Sequence, residues 1–353
     1  MKVLILASVH DHSVSRIKFE LEKHKEKPDV EILNPGDLYA YVNSSTSGHD
    51  AIYSKRNNQS TKILSKSFDA IIPRLAGKEL FDHGCMLVQQ INENMKKFST
   101  VTAFGLRAAS NKFRTCQIFS ANHLRTPKQV LSYNGGDFKD ILDLVGGLPA
   151  VGKTQTGSKG SGVFWMNDEL SASTSLGSFE KSGISIVVNQ FIDSGHPRAD
   201  LRIFVVGAEL KEPKVFAYKR FALNEDFRSN YSISKKGEKV KLTDEERQMA
   251  IDAAKIFRLG VTGVDILRDE KDKGKPYLIE INGNPGLGGV EEITGENVAG
   301  AIADYVLNNF KKGGKSLSAK SYFDMSDLVS SYLDSNAFFE ERIKPFLKEL
   351  KGV

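Results

Sequence analysis

Residues 261–286 read VTGVDILRDEKDKGKPYLIEINGNPG, two apolar segments separated by a charged turn and followed by a bend rich in glycine and asparagine. Each apolar segment predicts a β-strand. Glu280 and Asn282 stand two positions apart, so on a strand both side chains point to one face. If the two strands pair as a hairpin, Asp265 lies beside them. The stretch therefore predicts two carboxylates and an amide grouped together.

A bound cation would explain this grouping, because adjacent acids beside a bend repel each other without one. Magnesium takes few protein oxygens and completes its octahedron with phosphate and water. We therefore predict Asp265, Glu280 and Asn282 as metal ligands, with a bidentate Glu280 able to bridge two ions that clamp a triphosphate. Ile279 and Ile281 are predicted to face the other way, into a core. The alternative interpretation is a solvated sheet face.

A second group of residues surrounds Lys153, which ends a predicted apolar strand and precedes TQTGSKGSGV, residues 154–163. Glycines in this loop let backbone N–H groups approach phosphate oxygens closely. No Gly-Lys-Ser/Thr opens a helix here, so the loop is not a P-loop, and we predict a flap that joins two strands and covers phosphates. Lys112, in a predicted helix over 110–121, would be a second cation. Taken singly, such a loop is more often a structural hairpin, and a lone lysine on a helix is more often solvated.

Strand and helix signals alternate through the first hundred residues, which predicts a parallel sheet with helices on both faces. We divide the remainder into a smaller lobe at 101–185, a larger lobe at 186–312, and a linker with a helical extension at 313–353. Thr243 and Glu246 predict a capping box at the start of a helix. The aromatic residues of the extension fit either a core-facing stripe or a partner site.

Composition narrows the function classes. The chain is 40% hydrophobic and 26% charged, as in ordinary globular proteins, and we find no apolar run of about 20 residues that would predict a membrane span. Basic residues are interspersed with acidic ones despite the net charge of +5, which argues against nucleic-acid binding and fits anionic ligands such as nucleotides. Two cysteines make neither a disulfide framework nor a zinc site, so we expect a cytoplasmic protein. Separately, we expect the protein to form a homo-oligomer.

Taken in order, these stretches resemble the ATP-grasp superfamily, and within it the RimK-like α-L-glutamate ligases that modify a ribosomal protein. The similarity spans about residues 1–312. The resemblance implies an α/β ATP-grasp fold with an N-terminal parallel-sheet (pre-ATP-grasp) domain at 1–100, followed by the two lobes and the helical extension. The motifs that carry it are Ile-Ile-Pro-Arg at 71–74, Asn-Lys-Phe-Arg at 111–114, Lys153 with its loop, Asn-Gln-Phe-Ile at 189–192, Asp-Leu-Arg-Ile at 200–203, Asp-Phe-Arg-Ser-Asn at 226–230 and the 263–287 stretch.

The resemblance also implies roles for individual residues. Lys112 and Lys153 would contact ATP phosphates, Asp200 would take the ribose, and Arg220 and Arg228 would face the phosphates and the activated carboxylate. Arg220, Arg228 and Lys153 would then be catalytic. The remaining nucleotide-binding residues implied are Gly157, Ser158, Gly160, Gly162, Gln190, Phe191, Ile192, Arg202, Ser229 and Asn230. Gln190 stands where the family often has glutamate, so its contact would be made by the backbone.

The implied activity is an ATP-dependent carboxylate–amine ligase that forms an amide through an acyl phosphate. It would use ATP and Mg²⁺, with two ions expected and Mn²⁺ as an alternative, and would add an amino acid such as glutamate to a protein or peptide acceptor. Nothing in the sequence itself carries the glutamate preference. Two alternatives remain open: an ATP-grasp ligase of small-molecule or carrier-protein amino-acid biosynthesis, and a non-catalytic nucleotide-binding regulator.

Overall fold

The structure, a computed structural model, describes residues 1–42, 51–54, 62–63, 68–77, 79–133, 137–154, 162–182, 184–222 and 236–311. Several predicted features lie outside these ranges: Gly157, Ser158, Gly160, Arg228, Ser229, Asn230 and the extension at 313–353. No helix in the part of the chain that is described is long and apolar enough to cross a membrane.

The N-terminal segment forms a four-stranded parallel sheet of order β2-β1-β6-β7. The strands between β2 and β6 form a separate antiparallel sheet of order β3-β4-β5. The elements of this segment are β1 Lys2–Ala7, α1 His12–Lys23, β2 Asp29–Leu33, β3 Leu38–Tyr41, β4 Ala51–Ser54, β5 Lys62–Ile63, β6 Ala70–Arg74, α2 Phe81–Gln89 and β7 Phe98–Ser99, with a 3₁₀ turn Pro35–Asp37 and a π-helical turn Gln90–Asn94. The predicted parallel sheet is confirmed.

A smaller four-stranded antiparallel sheet follows, with order β10-β9-β11-β8. The elements of this part of the chain, in order, are α3 Ala103–Ala109, α4 Lys112–Ala121, β8 Gln129–Ser132, α5 Phe138–Val145, β9 Ala150–Thr154, β10 Val163–Met166, α6 Glu169–Ser182 and β11 Ile186–Gln190. Strands β9 and β10 flank the glycine-rich loop and pair antiparallel, as predicted for a loop between two strands.

The third unit is a five-stranded antiparallel sheet of order β14-β13-β12-β15-β16. Its elements are β12 Ala199–Val206, β13 Lys214–Phe221, β14 Gly237–Lys239, α7 Asp244–Ile256, β15 Val261–Asp269, β16 Lys275–Asn282, α8 Gly288–Thr294 and α9 Val298–Lys311, with a 3₁₀ turn Glu270–Asp272. One face of this sheet packs on α7 in a core that includes Ile203, Val264 and Ile281. The opposite face contributes Phe204 and Tyr218 to a second core with α9.

Two features differ from the sequence prediction. Asp265 pairs with Glu280 but Ile266 pairs with Leu278, so Ile279 is an extra residue in a β-bulge. The bulge moves Leu278, rather than Ile279, into the core beside Ile281, and the prediction for Ile279 is wrong. Helices α3, α6 and α8 were also missed, since each is short or rich in serine and glycine and has a weak periodic signal.

The predicted capping box at the start of α7 is confirmed, and the same glutamate has a second role. Thr243 accepts from the Glu246 backbone N–H, and the Glu246 carboxylate accepts from the Thr243 backbone N–H at 2.9 Å. Arg268 on β15 donates to both oxygens of this carboxylate, from Nε at 2.5 Å and Nη2 at 2.8 Å. Burial raises the pKa of Glu246, but these donors outweigh it and the net pKa is lowered. Glu246 therefore ties α7 to the five-stranded sheet.

Replacing Glu246 by alanine should lower the free energy of unfolding by about 2–4 kcal/mol, because it removes a cap and leaves Arg268 without its carboxylate. The neighbouring Glu245→Ala is the matched control, since Glu245 is exposed and, of the described residues, pairs with Arg125 alone; it should cost about 0.5 kcal/mol or less. Urea unfolding measures both. The difference should shrink as pH falls through the lowered pKa of Glu246, since protonation removes that contribution. Equal losses for the two variants would contradict this account.

Candidate functional site

The centre of the five-stranded sheet carries a row of charged residues on adjacent strands. Asp265 on β15 lies opposite Arg202 on β12 and opposite Glu280 on β16. The predicted β15–β16 hairpin is therefore present, and its pairing sets Glu280 beside Asp265. Glu280 and Asn282 lie beyond the bulge at Ile279, so their alternation is intact. Bulges next to functional sites commonly redirect a side chain, and this one turns Leu278 rather than Ile279 toward the core.

Two arginines hold Asp265, which is only 8% exposed. Arg202 Nε lies 2.8 Å from Asp265 Oδ1, and Arg220 Nη2 lies 2.9 Å from Oδ2. Arg202 is not aligned for a hydrogen bond, so Oδ1 is buried without a hydrogen-bond partner. Sequence spacing alone could not reveal this arrangement, because both arginines come from other strands.

Arg220 also binds Asp200, which lies directly opposite it on β12. Its Nε donates to Asp200 Oδ1 at 2.7 Å, and its Nη2 contacts Oδ2. Burial lowers the pKa of Arg220, but Asp200 and Asp265 outweigh burial and raise it well above its ordinary value. Arg220 and Asp200 thus lie in one network with Asp265. Their expected roles, toward the phosphates and the ribose, did not imply this network.

Gly263 is required where the loop after β16 approaches the sheet. A Cβ at this position would lie 2.8 Å from Arg202 Nη1 and 2.9 Å from Pro285 Cβ. Asn282, opposite Gly263, accepts a hydrogen bond at Oδ1 from Asn284 N at 2.8 Å. That bond fixes the orientation of the amide and leaves its oxygen a second lone pair.

Lys153, from the small sheet, lies near the charged residues of the large sheet. It lies on β9, half-buried, opposite Val163 and Val187. Burial lowers the pKa of its ammonium below the ordinary 10.5; Cys116, Glu280 and Asp265 oppose the shift and Lys112 adds to it. The two lysines and the two carboxylates are therefore within electrostatic reach of one another.

Lys112 and Gly162 lie at the two other elements expected to face phosphates. Lys112 is the first residue of α4, whose N-cap Asn111 accepts from the Arg114 backbone N–H. Gly162 ends the glycine-rich loop with φ of +75°, which an L side chain rarely adopts. A Cβ there would also lie 2.2 Å from Thr154 Oγ1.

The segment expected to contact adenine, Gln190 to Ile192, connects the small sheet to the large one. The Gln190 side chain accepts from the Lys128 backbone N–H at 3.2 Å, so it is engaged with its own sheet. The Phe191 ring lies 4.9 Å from Trp165, and the Arg198 guanidinium lies 4.2 Å from the Trp165 ring centre. The sequence analysis did not identify Trp165 and Arg198 as neighbours of the segment expected to contact adenine. The single tryptophan of the chain, just after a glycine-rich loop, could have drawn attention to this position.

The oxygen groups fit a magnesium site. Asp265 Oδ1 is buried, accepts no hydrogen bond and lies 2.8 Å from Arg202 Nε, so a lone pair of this oxygen remains for a metal ion. Carboxylate and amide oxygens are the ligands Mg²⁺ prefers. Among the described residues, no group of three His, Cys, Asp or Glu side chains is placed to hold a metal. The predicted set contains two carboxylates, with the amide of Asn282 as its third member. The assignment stays a prediction.

Comparison with known proteins identifies the family and the fold. A sequence model of the RimK-like ATP-grasp domain matches residues 109–306. A "Probable alpha-L-glutamate ligase" of Legionella pneumophila (strain Corby) is 33% identical over 312 residues, covering 88% of this chain and 97% of that protein.

Solved structures share the fold at low sequence identity. The macrocyclase MdnC bound with precursor peptide MdnA from Microcystis aeruginosa MRC superposes with a TM-score of 0.64 at 15% identity, covering 87% of this chain and 100% of that one. The ATP-grasp ligase PsnB, complexed with a phosphomimetic variant of minimal precursor, Mg and ADP, gives 0.63 at 13% identity, covering 87% and 98%. The chain therefore belongs to the RimK-like ATP-grasp family and is an ATP-dependent ligase.

Proposed function

We propose that the protein joins an amino acid such as glutamate to a protein or peptide acceptor, through an acyl phosphate formed from ATP. The observation that carries this proposal is the pairing of Asp265 with Glu280 on the large sheet, within electrostatic reach of two lysines. Lys153 lies on the small sheet and Lys112 begins α4. Cations that can hold a triphosphate then face oxygens that can hold its metal. This is the arrangement that phosphoryl transfer to a carboxylate requires.

The comparisons support the choice of substrates. The relative at 33% identity carries the name of an α-L-glutamate ligase and is covered almost completely. Two proteins of the same fold have been solved with precursor peptides, one of them with Mg and ADP. We carry glutamate, a peptide acceptor and magnesium over to this chain on that basis.

Asp265, Glu280 and Asn282 would hold the magnesium, which would neutralise negative charge on the phosphates. Lys112 and Lys153 would bind the phosphate oxygens, and Arg220 would keep Asp265 in place from its buried position against Asp200. Arg228, outside the described residues, remains our candidate for holding the activated carboxylate.

The reaction follows from the weak electrophilicity of a carboxylate. A carboxylate oxygen attacks the γ-phosphorus of ATP, the bond to the bridging oxygen breaks, and ADP leaves. An amine then attacks the acyl carbon, loses a proton, and expels phosphate as the amide forms. A glycine-rich loop over the phosphates would exclude water that would otherwise hydrolyse the acyl phosphate.

The central test is the dependence of ADP formation on both substrates. Purified chain is incubated with ATP, Mg²⁺, each of a panel of amino acids and each of several peptide acceptors, with ADP measured by a coupled assay and products by mass. We expect ADP only when an amino acid and an acceptor are both present, with a mass increase of one or more residues. A small-molecule ligase would act without a peptide, and a non-catalytic regulator would bind ATP and form no ADP.

Glu280→Gln should lower the rate of substrate-dependent ADP formation by about 100-fold or more, because a neutral amide cannot replace a charged metal ligand. Thermal unfolding should remain close to that of the unsubstituted protein, since Glu280 is only half-buried. Glu238→Gln, an exposed glutamate on β14 of the same sheet, is the matched control and should retain full activity. Near-normal turnover of Glu280→Gln would rule out its role at the metal.

Affinity for ADP should fall at alkaline pH as Lys153 loses its proton. Its pKa is lowered from 10.5, so the loss should begin at lower pH than for an exposed lysine. In Lys153→Arg the guanidinium stays charged, and the fall should move to higher pH. Fluorescence titration with ADP between about pH 7 and 10 measures this.

The control for this titration is Lys139→Arg, an exposed lysine on α5 of the same lobe. It should reproduce the pH profile of the unsubstituted protein. A profile that shifts in both variants, or in neither, would exclude Lys153 as the titrating phosphate ligand.

A further inference from the structure

The strand order of the N-terminal sheet places a topological switch point at the carboxyl ends of β1 and β6. The chain passes from β1 to β2 on one side, whereas β6 lies on the other side of β1, so the connections diverge between β1 and β6. Ligands of open parallel sheets bind at such a point, outside the carboxyl ends of the strands. None of the residues assigned above to the nucleotide or the metal comes from this edge.

Arg74 is the last residue of β6 and is 4% exposed. Its Nη2 donates to the Pro285 carbonyl at 2.9 Å, while its Nε is buried without a hydrogen-bond partner. Within the described ranges, no carboxylate forms an ion pair with it. Burial lowers its pKa to about 10, with Asp11 opposing the shift, so the guanidinium is charged at neutral pH. A buried charge that forms no ion pair is costly, and a bound anion would relieve that cost.

The start of α1 reinforces this positive region. The helix has 12 residues, follows β1, and is capped by Asp11, which accepts from the Val14 backbone N–H at 2.9 Å. Apart from the Asp11 cap, its first turn contains no acidic residue, so its backbone N–H groups contribute positive potential at this edge of the sheet. The electrostatic effect of Asp11 on Arg74 indicates that the helix start and the guanidinium are close.

Asn284, where the loop after β16 contacts the end of β6, supplies a hydrogen-bond acceptor. Its Nδ2 donates to the Leu75 carbonyl at 2.9 Å, and its Oδ1 is buried without a partner. Arg74 and Leu75 are thus hydrogen-bonded to Pro285 and Asn284 respectively. An unsatisfied donor and an unsatisfied acceptor therefore lie on two segments that are bonded to each other.

We infer that Arg74 and Asn284 bind the amine substrate, an α-amino acid, with its α-carboxylate at Arg74 and its amino N–H donated to Asn284 Oδ1. The two groups of an α-amino acid are separated by a single carbon, and the donor and the acceptor here lie on two segments that hydrogen-bond directly to each other. Asn284 follows the proposed metal ligand Asn282 by two residues, so the amine would lie beside the carboxylate that is activated. This inference rests on the proposed function.

The test measures binding, so it does not depend on knowing the acceptor. The full chain, with Mg²⁺ and a non-hydrolysable ATP analogue, is titrated calorimetrically with L-glutamate and with 4-aminobutyrate, which lacks the α-carboxylate. We expect L-glutamate to bind about tenfold or more tightly, and Arg74→Lys to reduce this ratio to about threefold or less. Arg247→Lys is the control and should leave the ratio unchanged, because Arg247 also donates to a proline carbonyl but is exposed.

A second variant keeps the inference testable if Arg74→Lys does not fold. Asn284→Ala should weaken L-glutamate and leave the affinity for glutarate, which lacks the amino group, nearly the same. Equal weakening of both ligands would indicate a structural role only and would overturn the inference, as would an unchanged ratio in Arg74→Lys or no binding of either amino acid to the unsubstituted protein. If L-glutamate binds as described but ADP never forms with any acceptor, the proposed function fails while the binding site stands.

Discussion

A carboxylate can be buried in the middle of a sheet only where positive charge surrounds it, and Asp265 meets that condition through Arg202 and Arg220. Arg220 is in turn balanced by Asp200, so two positive and two negative groups form one buried network on β12, β13 and β15. The rest of the site is arranged around it. Glu280 reaches Asp265 because their strands pair. Disturbing the network would therefore shift the candidate metal ligands and the sheet together.

The site also depends on how three sheets meet. Lys153 belongs to the small sheet and Glu280 to the large one, so their proximity is a property of neither sheet alone. Arg198, just before β12, lies over the ring of Trp165 on β10 and provides one contact between these two sheets. Such a contact contributes about 0.5–2 kcal/mol. The N-terminal sheet joins through the bond from Arg74 to the Pro285 carbonyl.

Local rules predicted much of this from the sequence. Alternation of apolar residues predicted β15 and β16 and their pairing, and residue types at fixed spacing predicted the capping box of Thr243 and Glu246. The bulge at Ile279 could not be predicted, because one extra residue changes which side chains alternate without changing composition. The pairing of Arg220 with Asp200 was equally hidden, since it depends on the register of two strands separated by a loop. Helix α6 was missed because its serines and glycine have weak helix propensity.

Three residues of the candidate sites share a physical feature: each has a buried polar atom that makes no hydrogen bond. Asp265 Oδ1, Arg74 Nε and Asn284 Oδ1 are all of this kind. Desolvating such atoms costs about 1–3 kcal/mol each, so a fold retains them where something else compensates. The first lies among the candidate metal ligands, and the other two lie where the N-terminal sheet meets the loop after β16. A metal ion at Asp265 and an amino acid held by Arg74 and Asn284 would satisfy all three atoms. The activation site and the amine site would then adjoin each other.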